Sequence, residues 1–324
     1  MQKHINFKFL LSGIAVVLLL LVVIYSGLQL LKPAVSTEPE ETPTKTIERN
    51  GIKYFPRQDI TVFLVMGIDK EGKVVSSGSY NNDGEADVVA LAVFDEADKS
   101  YSVLCLNRDT MLDMPVLGIG GKQAGTLNGQ LTLSHTYGSG LADSCMNTEK
   151  TVSDFLYGLE IDYYVALNMD AIGILTDAVG GVKVNVTDDL SAVDPTIPKG
   201  EVVLNSSQAL NIVRTRKDVG DEMNVSRMKR HEEFIKGFFE ALHNKTSESD
   251  RFLVKTYDDV SEYMVSDCSV DVLAALTNRY SEYTLNEIVS PEGENVKGER
   301  YMEFYADEEK LDELILRMFY APKK

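Results

Sequence analysis

A 23-residue run without a single charged side chain, Phe9 to Leu31, opens the chain and constrains everything after it. At about 1.5 Å per helical residue it is long enough for the roughly 30 Å hydrocarbon core of a bilayer. Lys3, His4 and Lys8 precede it, Lys32 follows it, and the chain then turns acidic at Glu38, Glu40 and Glu41. The positive-inside rule puts the N-terminus (1–8) in the cytoplasm and the remainder outside the cell membrane. A cleaved signal peptide would have a shorter apolar core of about 7–15 residues and a small-residue cleavage site. Leu30-Leu31-Lys32-Pro33 offers none, so the expectation is an uncleaved single-pass anchor over 9–31.

Residues 32–58 are rich in Thr, Glu and Pro and poor in large apolar side chains, which reads as an extracellular tether. The rest, 59–320, has no second linker and reads as one domain. A net charge of −18 excludes a general polyanion binder, so no nucleic-acid partner is expected and any anion site must be a local basic cluster. Of three cysteines, Cys105 lies in an apolar strand-like run. Cys145 and Cys268 lie in polar stretches and could pair outside the cell.

Ile60–Met66 is β-rich and almost wholly apolar, the pattern of a central strand. Asp87–Phe94 and Tyr101–Asn107 are two more, joined by a polar turn. A helix is expected over Asn147–Tyr157, a strand over Tyr163–Leu167, and a helix over Met169–Val179 stopped by Gly180-Gly181. A short strand at Val182–Val186 and a helix from Ser206 to about Val213 follow. A longer helix from Asn224 to about Leu242 carries Met228, Ile235, Phe238, Phe239 and Leu242 at helical spacing. Helices at Phe252–Tyr263 and Val270–Tyr280, strands near Ile288 and at Tyr301–Tyr305, and a helix over Asp307–Phe319 complete the pattern. The fold class is α/β, a central mixed sheet flanked by helices.

Four polar clusters fall at strand ends or in adjacent loops, where such a sheet builds its site. They are Gly67-Ile68-Asp69, Asp87, Asn107-Arg108-Asp109-Thr110, and Arg214-Thr215-Arg216-Lys217 followed by Arg227 and Arg230. Taken singly, these are a turn residue, a local ion pair and a solvated face. Together they are more pointed, because four arginines within seventeen residues are unusual in so acidic a chain. Guanidinium groups bind phosphate oxygens bidentately, and carboxylates held close to phosphates need a Mg²⁺ between them. These residue types suit a pyrophosphate with one metal ion.

At these residues the chain resembles the LytR-CpsA-Psr family. The ordered series is G-x-D at 67–69, Asp87 opening a strand, Arg108-Asp109-Thr110, Leu127-Asn128, Ile161-Asp162-Tyr163-Tyr164, the D-A-V-G-G-V-x-V run at 177–184, Gln208-Ala209-Leu210, R-x-R at 214–216, and Arg227 with Arg230. It runs from about Asp59 to Ala241, with weaker similarity to about Tyr320. The resemblance implies a bacterial, membrane-anchored phosphotransferase. Such an enzyme moves a glycopolymer from a polyprenyl-pyrophosphate carrier to the 6-hydroxyl of N-acetylmuramic acid in peptidoglycan, with the lipid in an apolar tunnel. Carried over by motif, Asp69 and Asp87 would hold Mg²⁺, and Arg108, Arg214, Arg216 and Arg227 the pyrophosphate. Asp109 would serve as a base or, in the favoured role, orient Arg108.

The sequence departs from the family pattern at several points. Glu85-Ala86-Asp87 stands for R-S-D, Thr126-Leu127-Asn128 for K-L-N, and Arg227-Met228-Lys229-Arg230-His231 for R-x-x-R-Q. The G-D pair, Gly220-Asp221, lies further upstream, with Asn224 intervening. His231 can still donate one hydrogen bond to the anion. Glu85 would repel phosphate if it pointed inward, so either it points away, or Lys122 or Lys217 compensates, or the ligand is a different one; the expectation is a place at the rim, turned to solvent or salt-bridged to a nearby Lys or Arg. Two other readings remain open: a non-catalytic polyprenyl-phosphate-binding or regulatory envelope protein, favoured by Glu85 and Thr126, and a polyprenyl pyrophosphatase using water.

Overall fold

The computed structural model describes residues 46–214, 252–280 and 283–322, and positions of one helical segment between 230 and 245. The anchor expected at 9–31 lies outside the described residues, among which no helix is long and apolar enough to cross a membrane.

The apolar run after residue 59 forms strand β3 (Ile60–Ile68), central in a six-stranded sheet as its lack of polar alternation demands. Successive side chains of a strand point to opposite faces. Phe63 and Val65 accordingly enter one core, while Val62, Leu64 and Met66 enter the other. β4 (Ala86–Asp95) and β5 (Ser100–Leu106) follow antiparallel, joined by a turn in which Asp95 Oδ1 accepts the Ala97 and Asp98 amides. β8 (Tyr163–Asn168) lies parallel to β3 on its other side. β11 (Met264–Ser266) and β12 (Thr284–Val289) close the two edges, giving the mixed order β11-β8-β3-β4-β5-β12.

Helices cover both faces. On one lie α1 (Ala142–Phe155) and the closing helix α6 (Glu308–Phe319). On the other lie α2 (Asp170–Ala178), α3 (Ser206–Arg214), α4 (Phe252–Val260), α5 (Val270–Tyr280), the 230–245 segment and the β9 (Val182–Val186)–β10 (Gly200–Leu204) pair. α6 is legible residue by residue. Asp307 caps its N-terminus by accepting the Lys310 amide, Glu308 and Glu309 occupy the first turn and Arg317 the last, matching the helix dipole. Leu311, Ile315, Met318 and Phe319 form its buried stripe.

Two expectations are corrected and one open possibility is closed. First, residues 47–49 and 52–56, expected within the tether, form strands. β1 (Ile47–Arg49) and β2 (Ile52–Pro56) form a hairpin around Asn50-Gly51, both at positive φ, and β2 pairs with the C-terminal strand β15 (Tyr320–Pro322). Asn-Gly is a strong hairpin signal, masked here by its Thr/Glu/Pro-rich approach. Second, the pairing left open for Cys145 and Cys268 does not occur. Both are buried and free, Cys145 under one face of the sheet and Cys268 under the other, so the sheet separates them. Third, α1 starts at Ala142, five residues before the expected Asn147. Its buried side is polar: Thr148 and Thr151 bond back to the carbonyls of Ser144 and Asn147, which an apolar pattern cannot reveal.

A hairpin, β6 (Met111–Leu117) with β7 (Gln123–Gln130), projects from the end of β5. Met111 and Gln130 pair at its base, while Leu117 and Gln123 pair at its tip. A 3₁₀ turn, Leu131–His135, then packs the chain back onto β4. A last hairpin, β13 (Gly293–Lys297) with β14 (Met302–Ala306), touches the start of β6 through the Thr110–Phe304 bridge.

Candidate functional site

β3 and β4 run antiparallel, so the end of β3 meets the start of β4. β5 runs antiparallel to β4, so its end arrives at the same place. Three of the four polar clusters therefore converge on one end of the sheet. The Asp69 amide donates to the Glu85 carbonyl at 2.9 Å, two residues from Asp87, across an irregularity in the β3–β4 register. Arg108, two residues beyond β5, completes the group.

Arg108 is the centre of this group. Nη1 donates to Asp87 Oδ1, Nη2 to Glu85 Oε2 at 3.0 Å, and Nε lies 3.7 Å from Asp109 Oδ1. Its side chain is 33% exposed, and those of Glu85, Asp87 and Asp109 are 42%, 24% and 28% exposed, so the cluster opens to solvent. Glu85 is thus salt-bridged and at the rim. Asp109 Oδ1 also accepts Gln130 Nε2 at 2.7 Å, and the same amide donates to the Met302 carbonyl at 2.9 Å. Burial raises the Asp109 carboxyl above the ordinary range; Arg108 works against the rise and Glu85 adds to it. An Asx turn, in which Asn107 Oδ1 accepts the Asp109 amide at 2.9 Å, fixes the backbone between Arg108 and Asp109.

Behind the cluster lies a layer that the sequence did not disclose. Asn82 Nδ2 donates to the carbonyls of His135 and Gly138 at 2.8 and 3.0 Å, and Asn82 Oδ1 accepts the Gly84 amide at 2.7 Å. His135 Nδ1 lies 2.8 Å from the Gly84 carbonyl oxygen. In the sequence Asn82 is one polar residue among several, and His135 sits in an unremarked Leu-Ser-His-Thr. Only their burial marks them.

The second arginine group is only partly described. Arg214 ends α3, and its side chain lies outside the described residues, as do Arg216, Lys217, Arg227 and His231. Arg230 is described, and it is buried against a carboxylate. Its side chain is 5% exposed and Nη1 bonds Asp188 Oδ2 at 2.6 Å, tying the 230–245 segment to the loop after β9. The cation that pairs with Glu85 is Arg108; Lys122 lies at the β6–β7 tip, six residue pairs from the hairpin's base, where its neighbour Gly121 faces the Tyr80 ring. Asn128, on the exposed face of β7, donates to Asp113 Oδ1 at 2.8 Å within that hairpin.

Glu85, Asp87 and Asp109 offer hard oxygen donors around the Arg108 guanidinium, and the Asp69 backbone lies beside Glu85; carboxylate oxygens suit Mg²⁺ rather than a softer metal. Among the described residues no group of three or more His, Cys, Asp or Glu is arranged to hold a metal by itself. Two carboxylates completed by water and phosphate oxygens are an ordinary Mg²⁺ shell.

A family model described as the LytR_cpsA_psr family matches residues 25–318. Several relatives carry the name polyisoprenyl-teichoic acid–peptidoglycan teichoic acid transferase TagU, among them those of Enterococcus faecalis and Bacillus licheniformis. The Enterococcus faecalis protein is 29% identical over 221 residues, 67% of this chain and 64% of that one. The Bacillus licheniformis protein is 24% identical over 277 residues, 85% and 82% of the two chains. The match to the first of these thus spans less than two thirds of the relative's length. The crystal structure of B. subtilis TagV superposes with a TM-score of 0.58 at 22% identity, covering 81% of this chain and 96% of that one. That likeness is one of fold: a mixed sheet between helical layers.

Proposed function

The chain belongs to the LytR-CpsA-Psr family, and from that premise we propose that it is a cell-membrane-anchored phosphotransferase with its large domain outside a bacterial cell. It takes a glycopolymer from a polyprenyl-pyrophosphate carrier and joins it to the 6-hydroxyl of N-acetylmuramic acid in peptidoglycan. The observation that carries this reading is Arg108, a partly exposed guanidinium held by carboxylates at the meeting point of three strand ends. The relatives' names, which speak of polyisoprenyl-linked teichoic acid and peptidoglycan, support the substrate class.

In this account Arg108, with Arg214, Arg216, Arg227 and His231, binds the pyrophosphate oxygens. The acceptor hydroxyl attacks the phosphorus that bears the glycan. The bridging P–O bond breaks, a phosphodiester forms and polyprenyl monophosphate leaves. Asp109, with its carboxyl raised by burial, takes the hydroxyl proton or steadies Arg108 during the step. Asp69 and Asp87 would hold Mg²⁺, which when bound neutralises charge on the phosphate oxygens. Positioning and charge stabilisation account for most of such a reaction, and no protein nucleophile is required.

The capture of Arg108 by Glu85 gives substance to a second reading, a non-catalytic lipid-phosphate binder. One assay separates the readings. The full chain, in bilayers with Mg²⁺, is given a polyprenyl-pyrophosphate-linked saccharide and a muramic-acid-containing glycan. Acceptor-dependent phosphodiester formation is the expected result. Release of polyprenyl phosphate without acceptor would indicate a pyrophosphatase, and binding without either product a non-catalytic protein.

A further inference from the structure

His135 is 3% exposed, and its Nδ1 lies 2.8 Å from the Gly84 carbonyl oxygen. A carbonyl only accepts, so Nδ1 carries the proton. Nε2 is buried with no partner among the described residues, so it remains the bare nitrogen of a neutral ring. Burial also depresses the basicity of the ring; the charges acting on it are Asp143, which raises it, and Lys70, which lowers it.

The residue that His135 grips, Gly84, is closely packed. A Cβ on Gly84 would come within 2.9 Å of both Asn82 Oδ1 and the Ile68 side chain. Asn82 anchors the segment to the carbonyls of residues 135, 136 and 138. The next carbonyl, that of Glu85, accepts the amides of Asp69 and Asp87. The Gly84 carbonyl is thus held one residue before Glu85 and three before Asp87, the two carboxylates that take both terminal nitrogens of Arg108.

We propose that His135 is a positioning residue for the Arg108 cluster, its neutral Nδ1–H holding the 82–87 turn so that Glu85 and Asp87 meet the guanidinium. A buried histidine that merely fills space is the rival. The two differ in what the donor is worth. Asparagine places an amide N–H where Nδ1 stands, whereas phenylalanine keeps a ring and loses the donor.

The test uses the full chain in detergent or bilayers, with His135→Phe and His135→Asn. One readout is the ¹⁵N pattern of the imidazole, resolvable because the chain has four histidines. Another is the Arg108 Nε–H resonance, and a third is transfer turnover, which alone rests on the proposed function. The wild-type ring should show the Nδ1–H tautomer. His135→Phe should displace the Arg108 resonance and lower turnover about tenfold, the worth of one hydrogen bond at the upper end of its range. His135→Asn should return both to within about threefold of wild type. An Nε2–H tautomer, an Arg108 resonance unmoved in His135→Phe, or identical behaviour of the two variants would overturn the proposal. If wild type shows no transfer while the Arg108 resonance follows the series, the activity fails and the positioning role stands. If His135→Phe does not fold, His135→Asn decides: an Arg108 resonance and turnover close to wild type support the positioning role, and their displacement despite the retained donor overturns it.

Discussion

Two arginines in this molecule make ion pairs with opposite consequences. Arg230 is 5% exposed and pairs with Asp188, itself 15% exposed, between the 230–245 segment and the loop after β9. Arg108 is 33% exposed and is shared among Glu85, Asp87 and Asp109 at an open strand end. The first pair is sealed, so breaking it strands a charge in a poorly solvated place. The second is wet and over-supplied with carboxylates, so the guanidinium can exchange one anion for another at modest cost. Burial separates the roles, and sequence, which shows both as arginines beside helices or strands, does not.

The largest expected effect is therefore on stability, at the sealed pair. Arg230→Met should cost about 3 kcal/mol, the lower end for removing one partner of a buried ion pair. Asp188→Leu added to it should recover much of that loss, because an apolar pair leaves no unsolvated charge. Thermal or denaturant unfolding of the single and double variants reads both. An Arg230→Met as stable as wild type would remove the distinction between the two arginines.

At the open cluster the effect should appear in function. Arg108→Ala is expected to lower transfer about a hundredfold, as removal of one preorganised charge-stabilising donor does, with unfolding close to wild type. Loss of folding together with loss of transfer would mean that Arg108, too, is structural.

Glu85→Gln sharpens the same comparison. It removes an anion that competes with phosphate for Arg108 Nη2 and keeps the side chain's size. An exposed ion pair is worth about 1 kcal/mol at most, so affinity for a polyprenyl-pyrophosphate analogue should rise by up to about fivefold. A fall in affinity would show that Glu85 belongs to the recognition surface of another ligand.

The smallest effect is a pH dependence at Asp109. Its carboxyl titrates above the ordinary range in the folded protein, so the native state holds that proton longer than the unfolded chain. Its contribution to stability is full below about pH 4, the ordinary aspartate value, and is lost as pH rises through the raised folded value. Asp109→Asn, which can still accept from Gln130, should remove that decline. The variant would gain a few tenths of a kcal/mol on wild type above the window and nothing below it. Parallel stability–pH curves would contradict the assignment.

Much of the fold was legible for a simple reason. β3, β4, β5 and β8 are buried on both faces, so their apolar runs identify them with boundaries off by one or two residues. The Gly180-Gly181 stop of α2, both residues at positive φ, was legible for a local reason. The hairpins β1–β2 and β6–β7 were not, because their exposed faces carry no apolar alternation. The start of α1 was hidden by threonines that satisfy themselves against their own helix. At the site, strand-end placement put the backbones of Asp69, Asp87 and Arg108 at one end of the sheet, as the strand pairing has them. Which groups Arg108 holds depends on side-chain geometry, and so does the burial of Arg230; neither follows from spacing. Asn82 and His135 were invisible because backbone-directed hydrogen bonds leave no motif.

The central claim is that Arg108 exchanges protein carboxylates for substrate phosphate. A crystal structure of the protein with a polyprenyl pyrophosphate and Mg²⁺ tests it most directly. The account predicts the Arg108 guanidinium within hydrogen-bond distance of the phosphate oxygens, its contact with Glu85 broken and Asp69 and Asp87 turned to the metal. A bound pyrophosphate with Arg108 still on Glu85 and Asp87, and the anion held elsewhere, would contradict it.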